Sequence, residues 1–536
     1  MKNNDRHSYM PRLVVALITS VAAIAASAAT PVRPQLVVGI MIDGLDTQYL
    51  DLLREQFGAG GFNRLLSQGV VIANADYGTN LDATAATAVL MTGASPSTTS
   101  ITCSEVYNRD KMRAVQALFD PEVMGNYTTD TFSPRGLEVS TLADEVRIAG
   151  GGVTRVYAIA PDAPEAILMA GHSANCAFWL DRRNGNWATS TFYRDVPAML
   201  SVRNRREHLS TRLDTMQWTP FKAVDHYPGL PEHLTHYPFR YVFPGGKAER
   251  YDMFVASPMF NTEVTNFAGA LISDMHLGKA DGVDMINIVY TLHPYDYTRN
   301  YDNRYELIDA YLRLDANLER LFAMVDASVG MDRSLFFVAA TPPSGRSRRD
   351  DEQWNIPYGE FSTKKAKSLL NLYLMGKYGN GEWVSAYHNG QFYLNLKLIN
   401  DTNLDAATVR TDAASFLTRM SGVDRVYTLE EVILGRGEER LEGMRRNIYA
   451  PAAGDLYVEI DPGWELVDDI DRPAPENRIH YVKRVVTATA PVFILAPNVD
   501  ARTIDTPVDI RFVAPTVARL LRIRSPNAAA LPALLF

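Results

Sequence analysis

Three places in the chain carry residue types that could do chemistry. Asp43 ends "QLVVGIMIDGL" (Gln35 to Leu45), a continuous apolar run with the look of a buried parallel strand, and ligands collect at such strand ends in α/β sheets. Thr84 follows Asp82 at the head of a small, apolar stretch that runs to Met91 and closes on Thr92-Gly93. Its hydroxyl could serve as a nucleophile; the plainer role of Asp82 and Thr84 is to cap a helix. His293, in "HPYDY", stands just past another apolar run and is tempting as a metal ligand, but a lone strand-end histidine is more often held in hydrogen-bonded packing. His226, His233 and His236 lack the spacing of a metal site.

The elements that must position these residues alternate. "GGFNRLLSQGVVIANADYG" reads as a short helix and a strand, "TLADEVRIAGG" as an amphipathic helix stopped by Gly150-Gly151, and "VTRVYAIA" as the next strand. "DMINIVYTL" and "SLFFVAAT" are further apolar runs, separated by the helical "YELIDAYLRLDANLERLFAMVDAS"; "APVFILAP" is a last strand and "RFVAPTVARLLRI" a last helix. This alternation predicts an α/β fold with a mainly parallel central sheet and helices on both faces, spanning about 34–530. Two regions break the pattern: about 195–282, rich in aromatics, Pro and His, and about 355–471, with a helix at "KKAKSLLNLYLMGKYG" and a hairpin-like "SAYHNGQFYLNL". Both read as insertions that form a cap over the strand ends.

With 536 residues, 46% hydrophobic and 21% charged, the chain can bury a large core. A net charge of -9 without a basic block argues against nucleic acid as a partner; Arg346, Arg348 and Arg349 form only a short cluster, read as a solvated loop. Residues 1–28 have the form of a signal peptide: Lys2, Arg6 and Arg12, an apolar run from Leu13 to Ala25, then Ala26-Ser27-Ala28. An uncleaved anchor is the alternative, but the run is short for a span of ~20 residues. Export predicts a periplasmic or secreted protein without a membrane span after cleavage, expected as a monomer on the resemblance described next, and it places Cys103 and Cys176, the only cysteines, in an oxidising compartment.

Taken in order, "GIMIDGLDTQYL", "MTGASP", "EVYNRD", "AILMAGHSANCAFWLDRRNGNWATSTFY", "GDLYVEIDPGWEL" and "DIRFVAPTVARLLRI" resemble the alkaline phosphatase superfamily of type I phosphodiesterase/nucleotide pyrophosphatase-like proteins. Within it they are similar to the secreted bacterial phosphate-irrepressible alkaline phosphatases that use a threonine nucleophile. The resemblance covers nearly the whole chain from Pro34 to Ser525. It implies a metal-dependent phosphate-ester hydrolase in which two ions clamp the attacking and leaving oxygens and a cationic pair holds the phosphate.

Residue by residue, this chain departs from that pattern. The strand-end metal aspartate is kept as Asp43, but the nucleophile position, nine residues before Thr92, is Ala83. Thr84 is adjacent, yet one step at a helix start turns a side chain by roughly 100°. The phosphate-touching Asn matches Ser104, and the Lys-x-Arg pair becomes Asp162 and Pro164, which puts a carboxylate where a phosphate dianion would sit. The metal pair Asp-x-x-x-His matches Asp296 and Asn300 if two residues are deleted, and Pro294 and Thr298 otherwise; a second Asp-His pair is replaced by Thr341 and Pro342. The last family histidine falls on His480 in "RIHYVKR", and His172 in "AGHSAN" is retained and orients its loop.

The resemblance thus leaves a vestigial set of Asp43, Asp296, Asn300 and His480, too few donors for a two-metal centre. The expectation is a pseudoenzyme without a cofactor, binding an unidentified ligand or protein partner through the cap or the old cleft. The alternative is an active phosphate- or sulfate-ester hydrolase with Thr84 as nucleophile and zinc on Asp296, Asn300 and His480. Asp43, Ala83 and His480 should converge at the strand ends, with Asp162 in the same cleft. Both cysteines stand where the resembling enzymes carry glycine, in segments near the cleft, so a Cys103–Cys176 disulfide is expected over two separate buried thiols.

Overall fold

The apolar run after Gln35 forms β1 (Leu36–Asp43), buried along its length until Asp43 itself. A computed structural model of the chain describes residues 33–536 apart from 79–80, 231, 237, 298–301, 344–345, 348–358, 462, 468–480 and 483–488. The other main strands are β2 (Val70–Asp76), β3 (Val156–Ile159), β4 (Cys176–Leu180), β5 (Trp187–Ser190), β6 (Asp284–Thr291), β7 (Ser334–Ala340), β8 (Thr489–Leu495) and β9 (Arg502–Ile504). They join one eleven-stranded sheet in the order β9-β2-β8-β7-β1-β6-β3-β4-β5, with the short pieces Gly125–Asn126 beyond β5 and Val508–Asp509 beside β2.

The five central strands, β7, β1, β6, β3 and β4, are parallel. Antiparallel β8 separates β7 from β2 on one side, and antiparallel β5 follows β4 on the other. The mainly parallel α/β sheet expected from the sequence is therefore present, with antiparallel flanks that apolar runs alone do not distinguish. Because β1, β6 and β7 are buried residue after residue, both faces of the sheet must be covered.

Helices α1 (Ala83–Thr92), α2 (Leu142–Ala149) and α3 (Ala163–Ala170) pack together, and α6 (Val513–Leu521) closes over α1 and α2; α4 (Pro258–Asp274) pairs with α5 (Arg304–Ser328). α1 is hydrophobic all round, which fits a helix buried from Thr84 to Thr92. Asp82 caps its start, accepting from the Ala85 N–H at 2.8 Å. Gly93 ends it in the left-handed region at φ 65, where an added Cβ would lie 2.9 Å from the Arg511 carbonyl oxygen.

The two irregular regions differ in how they are held. Residues 195–282 belong to the main core through Leu200, Trp218, Phe243, Phe260 and Phe267. Residues 355–471 build a core of their own from Phe361, Leu370, Trp383, Phe392, Val409 and Leu456, around a four-stranded antiparallel sheet. That unit is fastened through the buried carboxylate of Asp455, which accepts from Arg109 Nη2 at 2.8 Å, Arg410 Nε at 2.9 Å and the Leu394 N–H at 2.7 Å. Arg109 follows the strand Glu105–Asn108, whose Tyr107 packs its ring 4.5 Å from that of Tyr393.

Candidate functional site

Strand register assembles the site. Asp43 lies level with Thr291 of β6, and Ile42 with Ala340 of β7, so the residues just beyond those two strands flank the Asp43 carboxylate. His293 contributes Nε2 at 2.6 Å from Oδ2, and Thr341 Oγ1 donates to Oδ1 at 2.5 Å. The Thr341 hydroxyl also accepts from the Gly44 N–H at 3.0 Å. Gly44 has φ +85, and a Cβ there would fall 2.8 Å from His293 Nδ1; only glycine lets the imidazole reach the aspartate.

Both oxygens of Asp43 are thus taken by the chain's own side chains. Burial alone would raise this carboxyl's pKa, but the charge and hydrogen bond of His293, with the bond from Thr341, hold it below its ordinary value. The reverse applies to His293: burial disfavours its cation, and the charge of Asp43, the bond to it and the charge of Asp296 outweigh that and raise its pKa. The geometry is a hydrogen-bonded pair in which Asp43 favours the protonated form of His293. His293 is hydrogen-bonded packing, as expected of a strand-end histidine, and its partner is Asp43.

At the head of α1, Ala83 is half-buried and offers only a methyl. Thr84 is 2% exposed and turns into the α1–α3 interface, where its hydroxyl donates to Glu165 Oε1 at 2.6 Å. Burial pushes the Glu165 carboxyl up to about 8, the negative charges of Asp162 and Asp82 push the same way, and the Thr84 bond opposes them. Ser104 is exposed, and it is its backbone N–H that reaches Asp82, at 2.5 Å from Oδ2.

Asp162 stands immediately before α3 and shares the neighbourhood of Thr84 and Asp82, as its effect on Glu165 requires. Arg182 pairs with it: Nη2 lies 2.6 Å from Asp162 Oδ2 while Nη1 reaches Asp252 at 3.4 Å. The sequence reading overlooked Glu165 and Arg182. A lone carboxylate in the apolar "APEAILMA" and the pair Arg182-Arg183 directly after a strand were the available signals.

His172 does orient its loop: its ring nitrogens lie 3.0 Å from Asp144 Oδ2 and 3.0 Å from the Leu137 carbonyl, and Asp144 in turn closes a capping box with Thr141 on α2. Asp296 lies close enough to His293 to act on its charge. Asn300, Thr298 and His480, expected near Asp43, fall outside the described residues. Among the described residues no three His, Cys, Asp or Glu side chains come together as a metal-binding group.

The expected disulfide is corrected: Cys103 and Cys176 are free, buried thiols. Cys176 opens β4 and lies 3.2 Å from Thr189 Oγ1 on β5, inside the sheet, whereas Cys103 bonds to the Glu105 carbonyl at 2.7 Å in the loop before the hairpin. Each thiol is satisfied separately, and burial raises their pKa values to about 11 and about 12.

With this geometry in place, known proteins can be compared. The family model described as type I phosphodiesterase / nucleotide pyrophosphatase matches residues 37–483. Alkaline phosphatase PafA of Elizabethkingia meningoseptica is 25% identical over 519 residues, covering 93% of both chains. Alkaline phosphatase PhoV of Synechococcus elongatus is 25% identical over 523 residues, covering 93% of this chain and 92% of its own. The crystal structure of wild-type PafA superimposes with a TM-score of 0.81 at 23% identity, covering 95% of this chain and 99% of that one. The matched span runs from the strand that delivers Asp43 to the region around Tyr481, and the chain belongs to the type I phosphodiesterase/nucleotide pyrophosphatase family, in the branch of the phosphate-irrepressible alkaline phosphatases.

Proposed function

We propose that this chain is an exported, non-catalytic member of its family, a binding or accessory protein built on a hydrolase fold. The observation that carries the reading is the internal satisfaction of Asp43 by His293 and Thr341. Each Asp43 oxygen already accepts a hydrogen bond from within the chain, so a metal ion must compete with His293 and Thr341 for the carboxylate, and displacing either would leave a part-buried group without its partner. Ala83 at the nucleophile position and the Asp162–Arg182 pair in place of phosphate-binding cations act in the same direction. Residues 195–282 and 355–471 serve as the cap, and the surface they frame at the strand ends is where a ligand or protein partner binds. Residues 1–28 direct the chain to the periplasm or beyond.

The competing reading is a phosphate- or sulfate-ester hydrolase with Thr84 as nucleophile and zinc as cofactor. Its one structural attraction is the 2.6 Å bond from Thr84 to an acid whose pKa is raised to about 8, so that Glu165 could accept the hydroxyl proton above that pH. Burial of Thr84 at 2% exposure argues against attack on any substrate that enters from solvent.

The deciding experiment measures zinc content by elemental analysis together with turnover of aryl phosphate monoesters, diesters and sulfates in added zinc. The expected result is substoichiometric zinc and no turnover above the blank. Stoichiometric zinc with turnover abolished by Thr84→Ala would overturn the proposal.

A further inference from the structure

The opposite end of the central strands carries a feature that the old cleft does not explain. Beyond Leu36, itself about 23 Å from Asp43 by strand rise along β1, Arg33 lies between two adjoining recesses. One, of about 210 Å³, is lined by Arg33, Arg519 and Arg522 together with the turn Ala496–Val499. Among the described residues no carboxylate lines it. All three arginines are exposed, and none forms an ion pair or side-chain hydrogen bond with another described residue.

The chain has a net charge of -9, and several of its arginines meet carboxylates, among them Arg109, Arg182, Arg203, Arg212, Arg410 and Arg511. Arg519 lies in the last turn of α6 and Arg522 caps it, at the negative end of the helix, whose final carbonyls accept from the N–H groups of Arg522 and Ile523. Guanidinium forks match tetrahedral oxyanions with paired charge-assisted hydrogen bonds. The adjoining recess, of about 230 Å³, mixes the apolar Val146, Val153, Leu521 and Ile523 with Thr154 and Asp281. Arg33 belongs to both.

We infer that Arg33, Arg519 and Arg522 form a binding site for an oxyanion of the phosphate or sulfate class, with the adjoining recess receiving the organic part of a molecule that carries it. The site is independent of the proposed loss of catalysis, since it shares no residue with the strand-end cleft.

The test is calorimetric titration of the full protein at low salt with inorganic phosphate, inorganic sulfate and phenyl phosphate, repeated on Arg519→Gln/Arg522→Gln. The substitutions are at exposed positions, and matching thermal melts confirm that the variant is folded. The expected result is millimolar binding of the inorganic ions, tighter binding of phenyl phosphate, and a loss of about tenfold in affinity for all three in the variant. Absence of binding overturns the inference. So does affinity unchanged in the variant, which would place the anion elsewhere, including the old cleft. Equal affinity for phenyl phosphate and phosphate would overturn the role of the adjoining recess.

Discussion

Glu165 should make this protein less stable as the pH rises through the neutral range. Its carboxyl is buried between α1 and α3 at 8% exposure, faces the Thr84 hydroxyl, and feels Asp162 and Asp82. In the folded state it holds its proton to about 8, whereas in the unfolded chain it releases it at the ordinary value of 4.5. Between those values the folded state binds more protons than the unfolded state, so stability is greatest on the acid side and falls as pH rises. The slope approaches ~1.4 kcal/mol per pH unit in mid-window. Glu165→Gln keeps an oxygen for Thr84 and removes the titration. Wild type and variant should therefore unfold at similar temperatures near pH 5, and the variant should be the more stable by a few kcal/mol near pH 9. Thermal melts of both proteins from pH 5 to pH 9 measure this. Parallel curves would refute the argument, because they would mean that Glu165 ionises alike in both states.

Three further outcomes follow from the contacts above. His293→Ala should destabilise the fold by about 1–3 kcal/mol, a range reduced for the part-exposed imidazole, with His293→Gln recovering part of the loss by restoring a donor to Asp43; denaturant midpoints compare them. Titration of the unreduced, denatured protein with a thiol reagent should reveal both Cys103 and Cys176, while the native protein reacts slowly because both thiols are buried and hold their protons; finding no free thiol in the denatured protein would restore the disulfide. Arg109→Ala should cost about 1–3 kcal/mol and speed proteolysis within 355–471 before the rest of the chain, because Asp455 keeps Arg410 but loses its link to the hairpin; cleavage spread evenly over the chain would contradict that attachment.

What the sequence made legible were features that repeat locally. The apolar runs at Leu36, Asp284 and Ser334 announce central strands because those strands are buried on both faces. Asp43 stands out as the polar end of the first. Its partners did not, because they come from 250 and 298 residues away and meet it only through register. Glu165 illustrates the same limit: nothing near it in the chain shows that a threonine 81 residues earlier will face it. Arg182 was hidden because an arginine after a strand ordinarily reads as solvated, while here it answers Asp162. The cysteines misled for a related reason: scarcity and shared neighbourhood suggested a pair, but Cys176 is fixed inside the sheet and Cys103 in a loop with its own acceptor.

The pairing of Asp43 with His293 and Thr341 also bears on which mutational paths lie open to the chain. Restoring a carboxylate at Thr341 would set a second negative charge against Asp43 before any metal could bind. Removing His293 first would strip the aspartate of its hydrogen-bonding partner, and restoring a threonine at Ala83 would add a nucleophile beside a site with nothing to activate it. Every single step back toward a metal centre is a loss or a neutral change on its own, and the gain arrives only when several are made together. Under the non-catalytic function proposed above, the contacts of Asp43 with His293 and Thr341 therefore work as a ratchet against regaining a metal centre.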